Sequence, residues 1–267
     1  MERVGIVGVG QSVHVRERRD VAHAELTLES IDEALDEAGI SIGDIDNAVT
    51  ASLDFYDGRT IANMSVAEVV GSYLKPESRI CSDGIGALMY GWSRIADGQY
   101  RLALVTAHCK ESEGNLSNIE SAALDPFTQR RLGANADAIA AMSARRLFAD
   151  GTLSEAEAAA LVVAARESGR KNDKIADLPA VTVDEVLSAD PLATPLRALD
   201  RAPATDASCA IVIAAEDVAL RLTDDPVWVT GLGTGTGRYW SDRDPADLSA
   251  LRLARASAER MSGWSTA

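Results

Sequence analysis

The chain has 267 residues, of which 46% are hydrophobic and 25% charged, so its composition is that of a folded protein with a sizeable core rather than a disordered chain. The formal net charge of −15 argues against binding to nucleic acid or to an anionic membrane surface, because a strong negative field repels both. No apolar run reaches the roughly 18 residues that a membrane span needs, and the apolar start at residues 4–9 is too short for a signal peptide.

The first quarter of the chain alternates between strand and helix signals. Residues 4–9 form an apolar run that predicts a buried strand, and residues 25–38 repeat apolar positions at helical spacing until Gly39. Residues 45–52 predict a second strand, and residues 60–71 predict a second helix.

The alternation continues through the next segment. A short strand is predicted before a sharp turn from Cys81 to Gly84, which is followed by a helix to Ala96 and a strand over Leu102–Ala107. Strands that alternate with helices indicate an α/β fold with a mixed, mainly parallel sheet and crossover helices.

Residues 110–200 interrupt this order and are predicted to form an inserted helical loop domain. Helices are expected over residues 135–149 and 154–171, and residues 182–195 are expected to be loop with a short helix at most. The strand signal then returns at 209–214, which is apolar throughout.

The remaining residues predict one more strand at Val227–Gly231 and a last helix from Ala246 to about Arg260. Two glycine patterns, at Gly8–Gly10 and Gly233–Gly237, resemble parts of a dinucleotide-binding loop. The first pattern has Val13 at the third glycine position and is followed by a charged run, and the second has no helix directly after it. We therefore do not interpret them as nucleotide sites.

Three cysteines and three histidines are the candidates for chemistry or metal binding. They form no CxxC pair and no metal-ligand spacing, so no metal is expected, and free thiols predict a cytoplasmic protein. His14, His23 and His108 are interpreted as structural or solvated.

Cys81 differs from the other cysteines because it is predicted to lie at the end of a strand and just before a helix. A thiol at a helix N-terminus meets the positive end of the helix dipole, which favours the nucleophilic thiolate. The alternative is a small buried apolar side chain, as Cys109 and Cys209 are expected to be. Asp83 would either oppose the thiolate by its charge or cap the helix.

Four segments together resemble the thiolase superfamily. Residues 4–12 resemble its first strand, residues 78–108 its nucleophilic cysteine with the central helix and next strand, and residues 195–219 the closing strand of its N-terminal half. Residues 144–172 resemble the helical loop domain of its sterol-carrier-protein and lipid-transfer types. The resemblance extends from residue 1 to about residue 222 and implies the fold of a thiolase N-terminal half.

The resemblance also implies a role for particular residues. Cys81 falls on the acyl-accepting cysteine and Gly84 on the glycine that follows it, while Asp83 stands where the family usually has Ser. The family's Asp-Gly-Ala-Ala run reads Asp206-Ala207-Ser208-Cys209-Ala210 here. The implied substrate is an acyl-CoA thioester, with coenzyme A present only as part of that substrate and no other cofactor.

An anionic CoA ester requires local positive charge in a chain of net charge −15. Arg130 with Arg131, or Arg145 with Arg146, are the candidates; the alternative is that these arginines are ordinary solvated charges. The implied domains are 1–109 and 201–224 for the N-terminal core, 110–200 for the inserted domain, and 225–267 for the start of a second thiolase half.

The family's second half brings a histidine base and often a second cysteine, and no histidine follows His108 here. The first hypothesis is therefore a subunit that makes or cleaves C–C bonds in acyl-CoA with a second thiolase-like or OB-fold chain, in a homo- or hetero-oligomer. The second is a non-catalytic acyl-CoA-binding or scaffold subunit of a thiolase complex. The third is a truncated gene product with an exposed apolar face.

Overall fold

A computed structural model describes residues 2–239 and 244–265 and divides the chain into two compact units. The first unit contains the described residues up to Asn115, Ala204–Leu232 and those from Glu259 onward, and the second contains Leu116–Pro203 and the described part of 233–258. In chain order the strands and helices are β1 (Val4–Gln11), α1 (His23–Ala38), β2 (Asn47–Ala51), β3 (Glu77–Ile80), α2 (Gly84–Ala96), β4 (Leu102–Lys110), α3 (Leu116–Ala122), α4 (Ala136–Ala149), α5 (Glu155–Gly169), α6 (Val183–Ser188), β5 (Pro191–Ala193), β6 (Leu196–Arg197), β7 (Asp206–Ala215), α7 (Glu216–Leu222), β8 (Val227–Trp228) and α8 (Ser249–Ser262).

The first unit is built on a six-stranded sheet in the order β3-β2-β4-β7-β1-β8. β2 runs parallel to β3 and β4, whereas β7 is antiparallel to both β4 and β1, and β8 is antiparallel to β1. Strands β1 to β4 therefore point one way and β7 and β8 the other, which confirms the predicted α/β fold with a mixed, mainly parallel sheet.

The two faces of the sheet are covered by different helices. Alternate residues of β4 and β7 point to opposite faces. Leu104 and Val212 join the core cluster that includes residues of α1, and Val105 and Ile213 join the cluster that includes residues of α2. Because both faces of these strands are buried, their sequences are apolar throughout rather than alternating.

The glycines of the first dinucleotide-like pattern allow close packing between β1 and α1. A Cβ atom on Gly8 would overlap the carbonyl oxygen of Ala34, and one on Gly10 would overlap that of Ser30. These glycines allow a helix backbone to approach a strand backbone closely.

The second unit contains α3 to α6, the β5–β6 hairpin and most of α8. Arg201 joins its parts by ion pairs to Glu120 and Asp137, at 3.2 and 2.7 Å. Gly233 and Gly235, from the second glycine pattern, lie where a Cβ atom would overlap backbone of α8, so they also serve close packing.

The helix predicted over residues 60–71 is wrong. The segment has one turn of 3₁₀ helix at Ala62–Ser65 and then successive turns to Gly71, whose φ is +71°. The hydroxyl of Ser65 donates to the Ala62 carbonyl and that of Ser72 to the Ala67 carbonyl. Serine hydroxyls that bond nearby carbonyls compete with the α-helical pattern, and apolar spacing alone does not reveal this.

Candidate functional site

The turn between β3 and α2 presents Cys81 at the surface. β3 ends at Ile80, and Cys81, Ser82 and Asp83 are all exposed before α2 begins at Gly84. The Gly86 backbone N–H donates to Asp83 Oδ1 at 2.9 Å. Asp83 therefore caps α2, one of the two roles that the sequence left open.

Small residues hold α2 tightly on the sheet. A Cβ atom on Gly91 would lie 2.9 Å from Val105 Cγ2, and one on Gly84 would lie 3.1 Å from Ala107 Cβ. Ala87 is fully buried. The first turn of α2 thus has a fixed position over the carboxyl end of β4, and so does the turn that carries Cys81.

Strand register aligns several polar residues at this edge of the sheet. Ala51 pairs with both Ile80 and Ala107 across β3, β2 and β4. The residues that follow, Ser52, Cys81 and His108, therefore lie at the same carboxyl edge, which is where α/β proteins commonly place ligands.

Arg79 fixes the end of β3 to the segment after β2. Its Nε donates to Ser52 Oγ and a terminal nitrogen donates to the Ser52 carbonyl oxygen, each at 3.2 Å. It also forms a 2.5 Å ion pair with Asp54. The pKa of Asp54 is lowered, first by the hydrogen bond from the Ala62 backbone N–H and further by Arg79. These contacts restrain the strand two residues before Cys81.

The three thiols have different surroundings, although none is in a disulfide. Cys81 is exposed, whereas Cys109 and Cys209 are partly buried. Burial raises the pKa of the Cys109 thiol, and the negative charges of Asp57, Glu111 and Asp206 raise it further. Burial also raises the pKa of the Cys209 thiol. Cys81 is therefore the thiol that a reagent or substrate can reach most readily.

A buried polar cluster, which we call the histidine cluster, consists of His23, Asp57 and His108. His23 Nε2 lies 3.3 Å from Asp57 Oδ1, and His108 Nε2 lies 3.9 Å from Asp57 Oδ2. Asp57 Oδ1 also accepts the Lys110 backbone N–H at 2.8 Å. Burial lowers the pKa of His108 to about 4 despite the opposing effect of Asp57. The sequence did not predict this cluster, because its members are separated by 34 and 51 positions and match no motif.

Asp206, at the start of β7, is also fully buried. Its carboxylate accepts the Ser112 hydroxyl at 2.6 Å and the backbone N–H groups of Ser112 and Arg18 at 3.0 and 2.8 Å. Three donors satisfy the carboxylate, so Asp206 connects β7 to the two segments that carry Arg18 and Ser112.

The candidate arginines lie in the second unit and are not equivalent. Arg130 and Arg131 belong to a short 3₁₀ helix, and Arg130 donates to the carbonyl oxygens of Ala122 and Leu124 at 2.7 and 3.3 Å. Arg146 forms an ion pair with Asp150. Arg131 is exposed and makes no side-chain hydrogen bond or ion pair with the residues that the structure describes, so its guanidinium remains available to an anion.

Within the described ranges, no three His, Cys, Asp or Glu side chains are grouped so that they could hold a metal ion. The helices of residues 2–239 and 244–265 include none with the length and apolarity required to cross a membrane.

Two curated relatives cover nearly the whole chain. Acetyl-CoA acetyltransferase of Methanothermobacter thermautotrophicus is 26% identical over 271 residues, which cover 98% of this chain and 70% of the relative. The enzyme of the same name from Methanocaldococcus jannaschii is 27% identical over 273 residues, which cover 98% of this chain and 69% of the relative. The chain is thus similar in sequence to thiolase-superfamily enzymes over nearly its whole length.

Solved structures show the same similarity at the level of fold. An Ltp2-ChsH2(DUF35) aldolase matches with a TM-score of 0.82 and 20% identity, covering 98% of this chain and 70% of that chain. A monomeric SCP2-thiolase-like protein type 1 from Mycobacterium smegmatis matches with a TM-score of 0.75 and 19% identity, covering 97% and 57%. The recognition of a thiolase-like fold from the sequence is therefore confirmed, whereas no family model matches the chain.

Proposed function

We propose that this thiolase-like chain is a subunit of an enzyme that forms or cleaves a C–C bond in acyl-CoA thioesters, with Cys81 as the acyl acceptor. The observation that carries the proposal is an exposed, unpaired thiol held by β3 and a capped α2 at the carboxyl edge of parallel strands. The sequence matches to two acetyl-CoA acetyltransferases support acyl-CoA as the substrate class.

The proposed reaction has two covalent steps. The Cys81 sulfur attacks the thioester carbonyl carbon, a new S–C bond forms, and the S–C bond to CoA breaks with its electron pair on the CoA sulfur. A base takes the Cys81 proton and returns it to that sulfur. In the synthetic direction, a carbanion derived from a second substrate then attacks the acyl carbon, and Cys81 leaves as the thiolate.

We propose that a second thiolase-like or OB-fold chain supplies the bases. His23 and His108 are buried in a cluster at the N-terminus of α1. His14 lies elsewhere, and burial lowers its pKa. No hydrogen bond or ion pair joins a histidine to Cys81 among the described residues. The structurally similar Ltp2-ChsH2(DUF35) aldolase is named for two components, Ltp2 and ChsH2(DUF35), which supports a partner subunit here.

We further propose that Arg131, with Arg130 beside it, binds a phosphate group of CoA. A planar guanidinium is well suited to phosphate because it can donate two parallel hydrogen bonds. Gly84 is proposed to keep the space beside Cys81 open, since any side chain there would press against Ala107.

The second candidate is a non-catalytic acyl-CoA-binding or scaffold subunit. Asp83 favours it, because it stands where the family usually has Ser and its carboxylate caps α2. The described residues also include no histidine that is hydrogen-bonded or ion-paired to Cys81. This subunit would bind acyl-CoA without forming a covalent adduct.

Intact-mass spectrometry after incubation with acetyl-CoA separates the two candidates. We expect one acetyl adduct on the chain purified together with the partner that supplies the base, and none when the chain carries Cys81→Ala. Cys109→Ala and Cys209→Ala are matched controls that should retain the adduct. Acetyl-CoA binding without any adduct, together with an intact Cys81 that iodoacetamide does alkylate, would favour the scaffold.

Partner dependence requires a separate assay. The chain is co-expressed with each neighbouring open reading frame, and CoA release from acyl-CoA is measured for each purified pair. We expect release to exceed that of either chain alone for one pair and to disappear with Cys81→Ala. Equal release by the chain alone would overturn the proposed need for a partner.

A further inference from the structure

A groove of about 460 Å³ lies on the surface of the first unit beside α1, on the side of the sheet away from α2. Its apolar lining residues are Leu28, Ile31, Leu35, Ile40, Ile42 and Val69, and its polar ones are Asp32, Asp36, Ser41 and Glu68. Leu28 is 37% exposed, whereas Ile31 and Leu35 are buried. We call this feature the α1 groove.

Helix α1 carries six acidic residues and no Lys or Arg. Four of the six have specific partners. Glu25 accepts the Ala22 backbone N–H, Glu29 forms an ion pair with Arg18, and Glu33 and Glu37 accept the backbone N–H groups of Gln11 and Val9.

The other two acidic residues of α1, Asp32 and Asp36, line the α1 groove. Neither they nor Glu68 across the groove make a side-chain hydrogen bond or ion pair within residues 2–239 and 244–265. The nearby ammonium group of Lys75 donates instead to the carbonyl oxygens of Ile42 and Gly43 at 2.8 and 2.9 Å.

The position of these carboxylates is electrostatically unfavourable in the isolated chain. Asp32 and Asp36 are one helical turn apart, and like charges at that spacing repel. Asp36 lies in the last turn of α1, where the negative end of the helix dipole disfavours an anion. A cation bound in the α1 groove would relieve both effects.

We propose that the α1 groove binds a basic amphipathic segment of a partner protein. The apolar side chains of that segment would pack between α1 and Val69, and its Lys or Arg side chains would pair with Asp32, Asp36 and Glu68. Such a ligand matches both the apolar floor and the negative rim. Nucleic acids and anionic lipid surfaces have the wrong sign of charge for this rim.

The probe for this groove is a synthetic helical peptide of about 14 residues, four turns long, made of Leu and Lys with Leu at positions i, i+3, i+4 and i+7. A scrambled peptide of the same composition lacks the apolar face. Binding of both to the full chain is measured by fluorescence anisotropy at two salt concentrations.

The variant Asp32→Asn with Asp36→Asn removes two charges from the α1 groove. The matched control, Asp224→Asn with Asp225→Asn, removes two exposed charges from the α7–β8 loop. We expect the groove variant to raise the Kd of the amphipathic peptide about tenfold and the control to change it less than about twofold. Leu28→Ser should also weaken binding, because it removes part of the apolar wall.

Equal weakening in the groove and control variants, or equal affinity for the scrambled peptide, would overturn the proposal in favour of a general attraction to a chain of net charge −15. A dimer in sedimentation analysis that the groove variant dissociates would overturn it in favour of a second copy. The groove variant should unfold at the same or a higher urea concentration than the parent chain, since it removes repulsion, so loss of binding cannot be attributed to unfolding.

Discussion

Two polar regions of the first unit lie at the carboxyl edge of the same parallel strands, yet they have opposite exposure. The turn after β3 displays Cys81 to solvent, whereas the histidine cluster, formed at the ends of β2 and β4, is sealed by α1. The cluster contains the base and carboxylate found in catalytic triads, but it contains no nucleophile and its three residues are almost completely buried. The comparison teaches that residue chemistry alone does not locate a site, and that exposure and packing decide between a reactive group and a structural one.

The histidine cluster stabilises the fold because Asp57 joins elements that are distant in sequence. Its Oδ1 is the acceptor for the Lys110 backbone N–H and lies within reach of His23 at the start of α1. Nearby, the Lys110 ammonium group donates to the Val21 carbonyl oxygen and pairs with Glu113 at 2.8 Å. We interpret these contacts as a polar connection between the end of β4 and the loop before α1.

The largest effect that we predict tests this structural role. Asp57→Ala leaves the Lys110 N–H and His23 without their hydrogen-bond partner, so we expect a loss of about 3 kcal/mol in the free energy of unfolding. Asp57→Asn keeps an oxygen acceptor of the same size and should lose less. Urea unfolding followed by circular dichroism measures both variants, and parent-like stability of the alanine variant would contradict the role.

The second prediction concerns the acid side of the stability profile. The pKa of His108 is about 4 in the folded chain, below its unfolded value of 6.5, so the unfolded state takes up a proton first as the pH falls. Stability due to neutral His108 is thus complete above pH 6.5 and is lost progressively towards pH 4. A shift of this size corresponds to at most about 3 kcal/mol.

The variant His108→Leu isolates this contribution, because it removes one imidazole and leaves every other ionisable group in place. Urea unfolding is measured between pH 7 and pH 4.5 for both proteins. We expect the parent chain to lose more stability than the variant over this range. Identical pH profiles would show that burial of His108 has no such consequence.

The sequence predicted the elements whose signal is local. The apolar runs of β4 and β7 identified buried strands, and the turn from Cys81 to Gly84 was placed between β3 and α2, where the structure has it. The predicted helix over 60–71 was wrong because its serines bond nearby carbonyls.

The histidine cluster required information that the sequence pattern does not contain. Nothing in the local pattern around His23 indicates that the loop after β2 brings Asp57 against it, and that loop directly precedes the segment whose structure was mispredicted. Contacts between residues so far apart in the chain depend on strand order and register. Those follow from the packing of the whole sheet rather than from any spacing of residues.

The smallest predicted effect lies at the exposed turn and sharpens the comparison with Asp57. Both residues are aspartates that accept a backbone N–H, but Asp83 is exposed, so water can replace it as a partner of the Gly86 N–H. We expect Asp83→Ala to cost about 1 kcal/mol, the typical value of an N-cap, and Asp83→Ser to cost almost nothing because Ser caps equally well. Urea unfolding followed by circular dichroism measures the free energy of unfolding of both Asp83 variants. Equal losses of unfolding free energy in Asp83→Ala and Asp57→Ala would show that burial does not explain the difference between these two aspartates.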